Sequence, residues 1–166
     1  MSKGFRMTLT IRGMQKKLKK LWSSIIRNRD GYRCQWCGKV SNKNHAHHIV
    51  AKSLSNPLGF YDLRNGMTLC YRCHIFRLKS ETDEYIELRD VWLKKRKLNY
   101  SELRQEFGKK VKLFLDDYLV IFHKLKKVLL EQEDGDNNIY TAELPELSSG
   151  KERPTRTKRK TKRNKH

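Results

Sequence analysis

Two Cys-x-x-Cys pairs, Cys34-Gln-Trp-Cys37 and Cys70-Tyr-Arg-Cys73, stand 32 residues apart and constrain the fold of this chain more than any other feature. Together they offer four thiolates, the closed tetrahedral shell of a structural Zn²⁺. Gly38, directly after Cys37, suits the tight turn of such a knuckle. A redox dithiol would need one pair in a βαβ setting; two pairs without that setting point to a metal. A closed four-Cys site does no chemistry of its own. It ties the ends of a short segment together and fixes whatever lies between. Only 37% of the chain is hydrophobic and 34% is charged, so a small core stapled by metal is expected rather than a large one.

The formal net charge is +20, from 38 Lys+Arg against 18 Asp+Glu. Such an excess favours a polyanionic partner, because each neutralised phosphate releases condensed counterions. Nucleic acid is the first candidate and an anionic membrane surface the second. No apolar run approaches the roughly 20 residues that span a bilayer. Met1 to Lys20 shows no secretory apolar stretch. A reducing compartment is therefore expected: the cytoplasm, or the nucleus in a eukaryotic setting.

Four segments follow from the pattern. Residues 1–30 are basic, with Leu18, Leu21, Trp22, Ile25 and Ile26 at helical spacing over Met14 to Arg29 and Lys16, Lys17, Lys19 and Lys20 on the other faces. Residues 31–80 hold every Cys and four of the six His, broken by turn residues. Residues 81–133 read as helical, with a start near Asn99 to Ser101. In a 109–133 helix, Val111, Leu115, Tyr118, Phe122, Leu125 and Leu129 recur at steps of three or four, and both intramolecular packing and a homodimer seam fit. His123 lies at core spacing there and is expected to be structural. Residues 134–166, an acidic linker and the tail KERPTRTKRKTKRNKH, lack apolar residues to bury and are expected to be disordered.

Between the knuckles lie His45-Ala-His47-His48-Ile-Val and Asn65, and His74 follows the second knuckle. The run RDGYRCQWCG…HAHHIV…NGMTLCYRCH resembles the zinc-braced HNH endonuclease family, over about Arg29 to Leu78. That resemblance implies an α+β fold: a small ββα-metal core with the four-Cys zinc site, flanked here by an N-terminal helix and C-terminal helices. It implies a metal-dependent nuclease cutting DNA, with RNA not excluded and no membrane role. His48 would be the general base, and Asn65 would fix the loop that orients it. His47 and His74 would bind the catalytic divalent ion, Mg²⁺ or another metal. Many relatives carry Asp where His47 stands, and a His is the softer ligand. Neutral imidazole can take a proton from water near pH 7. Successive strand residues point to opposite faces, so a bulge or sharp bend is expected at His47-His48. His45 shares the face of His47 and is expected to have no role.

Arg33, Lys52, Arg64, Arg72 and Arg77 are expected to contact phosphates, which position nucleic acid without reading its sequence. Two alternatives stay open. One is a non-catalytic zinc module that binds nucleic acid, which would need none of His47, His48, Asn65 and His74. The other is a junction-cleaving nuclease, because the compact Cys/His pattern and basic flanks are also similar to the NinG-type phage recombination proteins.

Overall fold

The computed structural model describes residues 10–77 and 82–133, with Phe76 and Arg77 described in backbone only. The expected linker and tail, 134–166, lie outside the described residues.

The chain opens with α1 (Ile11–Arg29), where the Thr10 hydroxyl accepts from the Gly13 N–H. Its buried stripe is Met14, Leu18, Trp22, Ile25 and Ile26, and Asp30 with left-handed Gly31 (φ 59°) ends it. Strand β1 (His45–His48) pairs antiparallel with β2 (Gly66–Leu69), after the short helix α2 (Pro57–Tyr61). A π-helical stretch, Cys73–Arg77, carries His74 where the resemblance implied a helix. Then come α3 (Asp83–Lys94), α4 (Tyr100–Gly108) and α5 (Leu115–Glu133). The mixed architecture of helices around a small two-stranded sheet is the expected one.

Helix α4 starts where the sequence placed it: the Asn99 side chain accepts from Ser101 and Glu102 N–H. Helix α5 starts later than the 109–133 reading. Asp117 accepts the Phe114 N–H at 2.7 Å, half of a capping box, so Val111 lies before the helix in extended chain. The buried residues of α5 (Tyr118, Ile121, Leu125, Val128) pack on the α1 stripe and on Phe60, Tyr61 and Leu63. Intramolecular packing therefore occupies this face. His123 is exposed on α5, not in the core as expected.

A second core holds Cys34, Ile49, Val50, Met67, Leu69, Tyr85, Trp92, Leu93, Leu103 and Phe107. The sheet sits between the two cores. Gly66 makes this approach workable, since a Cβ there would lie 2.4 Å from Ile26 Cδ1 and 2.8 Å from Trp22. The free edge of β2 is closed by the end of α1. Asp30 Oδ2 accepts the Thr68 N–H at 2.7 Å, and the Arg29 guanidinium donates to the Leu63 and Gly66 carbonyls at 2.7 and 2.6 Å.

Candidate functional site

The four cysteines converge. The sulfurs of Cys34, Cys37, Cys70 and Cys73 all lie within 4.8 Å of one another, and Cys37 Sγ is 3.8 Å from Cys70 Sγ. A tetrahedron of Zn–S bonds near 2.3 Å has edges of about 3.8 Å, so the cluster has the size of a zinc-type site. Gly38 takes φ 74°, the left-handed turn expected after the first knuckle. Burial pushes the Cys34 and Cys73 thiols up, while the Lys39 backbone holds Cys37 down at about 7. Four sulfurs packed this closely ionise together only around a cation.

The strand register is one-to-one from His45↔Leu69 to His48↔Gly66, so no bulge interrupts it. The chain bends immediately afterwards, at Ile49-Val50. Asn65 holds that bend. Fully buried, its Oδ1 accepts the Val50 N–H at 2.7 Å, and its Nδ2 donates to the Gly59 carbonyl at 2.8 Å and the Val50 carbonyl at 3.3 Å. The Ile49 N–H donates to the Asn65 backbone carbonyl.

Placed at the strand end by this clasp, His48 lies between Trp22 and Phe60, with ring centroids 4.0 and 4.3 Å away and nearly parallel planes. Its Nε2 is 2.9 Å from the Phe60 carbonyl. A carbonyl only accepts, so Nε2 carries the proton and Nδ1 keeps a lone pair. Burial, with Lys19 and Lys52 nearby, lowers the pKa to about 4 against the opposing pull of the Phe60 carbonyl.

The same logic assigns His47. Tyr85 Oη lies 3.1 Å from the Ile49 carbonyl and 3.1 Å from His47 Nε2. The single hydroxyl proton must go to the carbonyl, so the hydroxyl accepts from His47 Nε2–H and His47 Nδ1 is left with a lone pair. Burial holds His47 at about 3, with His74 and His48 adding to the effect. The His74 ring stands 5.1 Å from that of His47 and 5.6 Å from that of His45. Its Nδ1 is buried without a hydrogen-bond partner. Burial, then His45, lowers its pKa.

His47, His48 and His74 line one cavity of about 800 Å³. Lys19, Lys52, Arg89 and Arg104 line it too, and among the described residues no carboxylate does. Of the basic residues singled out in the sequence, only Lys52 is at this cavity. Arg72 borders the hollow beside the cysteines with Lys39 and Lys43. Exposed Arg33 donates to the Gly38 carbonyl. Arg64 is gripped by Asp62 at 2.8 Å and Glu106 at 2.7 Å, away from the histidines. The side chain of Arg77 lies outside the described residues. Lys19, Tyr85, Arg89 and Arg104 were not singled out. For Lys19 a signal existed: Arg12, Lys16 and Lys19 recur at helical spacing along one flank of the apolar stripe.

A ββ-hairpin module with a four-Cys cluster of the size of a zinc site and imidazoles at the end of one strand is the class of site these residues define. The family model of the HNH endonuclease matches residues 34–76, from the first cysteine to just beyond His74. The similarity is to an endonuclease family and covers this segment of the chain. No curated protein and no solved structure matches the chain. No helix among the described residues is long and apolar enough to cross a membrane.

Proposed function

We propose that this protein is a metal-dependent endonuclease that hydrolyses DNA phosphodiester bonds, with His48 as general base. The observation that carries the reading is the shared cavity: three imidazoles, two of them with an assigned lone pair, among four cationic side chains. A phosphodiester suits such a place, and a neutral or cationic substrate would waste the charge.

The residues also fit a second, catalytic ion. His47 and His74 would hold it, the buried unpartnered Nδ1 of His74 and the free Nδ1 of His47 being the donors. A bound divalent ion supplies Lewis-acid stabilisation of the charge that develops on phosphorus oxygens. With imidazole donors, Mn²⁺, Ni²⁺ or Zn²⁺ suits the donor set better than Mg²⁺. His48 Nδ1 takes the proton of the attacking water, while Trp22 and Phe60 hold the ring and the Phe60 carbonyl holds its tautomer. A base near 4 is weak in the free protein. An arriving phosphate offsets Lys19 and Lys52, the smaller causes of that depression, and shifts the base upward; burial, the larger cause, stays. Lys19, Lys52, Arg89 and Arg104 position the strand, and Arg33 and Arg72 extend the basic surface at the zinc end. The Cys₄ zinc and the Asn65 clasp hold the strand end in place.

Plasmid nicking by the full chain and by His48→Ala, across Mg²⁺, Mn²⁺ and Ni²⁺, tests the reading. Loss of a general base lowers the rate by about 10² to 10⁴. Unchanged nicking by the variant would remove His48 from the role. Tight DNA binding without cleavage under any metal would leave a zinc module that only binds nucleic acid.

A further inference from the structure

Next to the histidine cavity lies a second hollow, and the two share Lys19, Lys52 and Phe60 in their walls. Its floor is closed. Phe60, Tyr61 and Tyr118 are 9%, 4% and 4% exposed and pack on one another, with Phe60 also stacked on His48 and Lys52 lying over it. Gln15 ties the floor to α1 by donating to the Tyr118 hydroxyl at 3.0 Å. A ligand therefore meets the rim, and the rim is cationic: Arg12, Lys16 and Lys19 from one stripe of α1, and Lys52 from the far side. No acidic residue among the described ones lines the hollow. All four cations are exposed, and none forms an ion pair among the described residues, where acids pair with Arg29, Arg64, Arg89, Arg96 and Lys127 instead.

We propose that this rim is a backbone track: it holds phosphates of the DNA substrate on one side of the scissile bond, so that the bound strand runs from the histidine cavity over Lys19 and Lys52 toward Arg12 at the start of α1. The inference deepens the nuclease reading and rests on it for the word scissile. The spacing suits a repeating anion. Steps of four and three residues set Arg12, Lys16 and Lys19 about 6 and 4.5 Å apart along the helix axis. Such a row, about 10.5 Å long, spreads its charge further than one phosphate extends. One strand of B-DNA passes a phosphate about every 3.4 Å of axis, or about three over that length. Continuity gives the direction. Lys19 and Lys52 belong to both hollows, so a backbone with one phosphate among the imidazoles has its neighbours led onto the same two cations and then along α1. The closed floor offers no slot for a base, so the track positions the strand without reading sequence. Lys17 and Lys20, equally exposed on the same helix, line neither hollow. A merely solvated basic helix would make no distinction between the two sets.

The test is fluorescence-anisotropy binding of a labelled DNA duplex by the zinc-loaded full chain, with no second metal added, over a series of salt concentrations. Arg12→Gln/Lys16→Gln is compared with Lys17→Gln/Lys20→Gln, an equal charge change at exposed positions of the same helix. The first variant should bind about tenfold or more weakly at low salt, with a log–log salt slope lower by about 1.8, at about 0.9 per lost contact. The second should keep nearly the parent slope. Equal losses for the two variants would overturn the proposal, and so would a first variant with the parent's affinity and slope. A loss seen with vesicles of anionic phospholipid but not with the duplex would overturn it as well. Should circular dichroism show the double variant to be poorly folded, Lys16→Gln alone decides, with a slope lower by about 0.9 expected and an unchanged slope against the track. Binding as described without cleavage under any metal would sink the nuclease reading and leave the track standing. Equal losses for the two variants beside nicking that depends on His48 would do the reverse.

Discussion

Asn65 carries a prediction that can be worked from its contacts. It is buried completely and joins three backbone groups of the loop 50–59 that a smaller residue would leave without partners. Asn65→Ala strands the Val50 N–H, on a residue with no exposure, and loosens two carbonyls. A buried unsatisfied group costs about 1–3 kcal/mol. Counting the amide in full and the longer carbonyl contact as minor, the variant should lose about 3–5 kcal/mol, a large share of the stability of a small domain. Asn65→Asp is the sharper probe. It keeps an acceptor for Val50 N–H but turns an oxygen toward the Gly59 carbonyl, now 2.8 Å from a donor, so shape is kept and the interaction is reversed. It should be no more stable than the alanine variant. Urea unfolding of zinc-loaded protein gives both values. Because the next carbonyl, Phe60, is the one that orients His48, nicking by either variant should fall further than the folded fraction does. An aspartate variant of wild-type stability would refute the reasoning, since the clasp would then not depend on donation from Nδ2.

Four further outcomes follow from the same geometry. Tyr85→Phe removes the acceptor of His47 Nε2–H, and loss of such an outer partner lowers metal affinity about 10–100-fold, measured by titrating Mn²⁺ into the zinc-loaded protein; unchanged affinity would exclude Tyr85 as a positioning residue. Gly66→Ala forces a Cβ against Ile26 and Trp22 and should cost about 1–3 kcal/mol in urea unfolding, whereas no loss would mean α1 can move away freely. Strong chelation of the four-Cys ion should unfold the hairpin, seen as loss of the Trp environment together with release of about one zinc per chain; an unchanged fold after complete removal would contradict the clamp. Acid should destabilise the protein in a defined window. His48 is held at about 4 and His47 at about 3, so both are neutral when folded, while the unfolded chain takes up protons below about 6.5. Their contribution is fully present above that value and is lost as pH falls toward about 4 for His48 and about 3 for His47, by at most about 1.4 kcal/mol per pH unit for each group. His48→Gln should show the shallower dependence, and an identical slope would mean that His48 is not buried in its neutral form.

The sequence alone determined the parts that are local or periodic. Paired cysteines three residues apart specify a knuckle whatever surrounds them, because chelation by one turn needs only neighbouring residues. The apolar stripe of α1 and the Asn99 cap were readable for the same reason: helix spacing and capping are set within a few residues. The motif His47, His48, Asn65 and His74 was visible as a set of residue types. Which nitrogen of each imidazole is free was not, since it depends on partners far away in the chain, Tyr85 and the Phe60 carbonyl. Arg64 illustrates the opposite error. Its charge looked available in one dimension, and only the fold brings Glu106 to it from 42 residues away. The packing of α5 on α1 also required the tertiary structure. A helix stripe states that a face will be covered, but the covering partner is chosen by complementarity between surfaces, and no single segment contains that information.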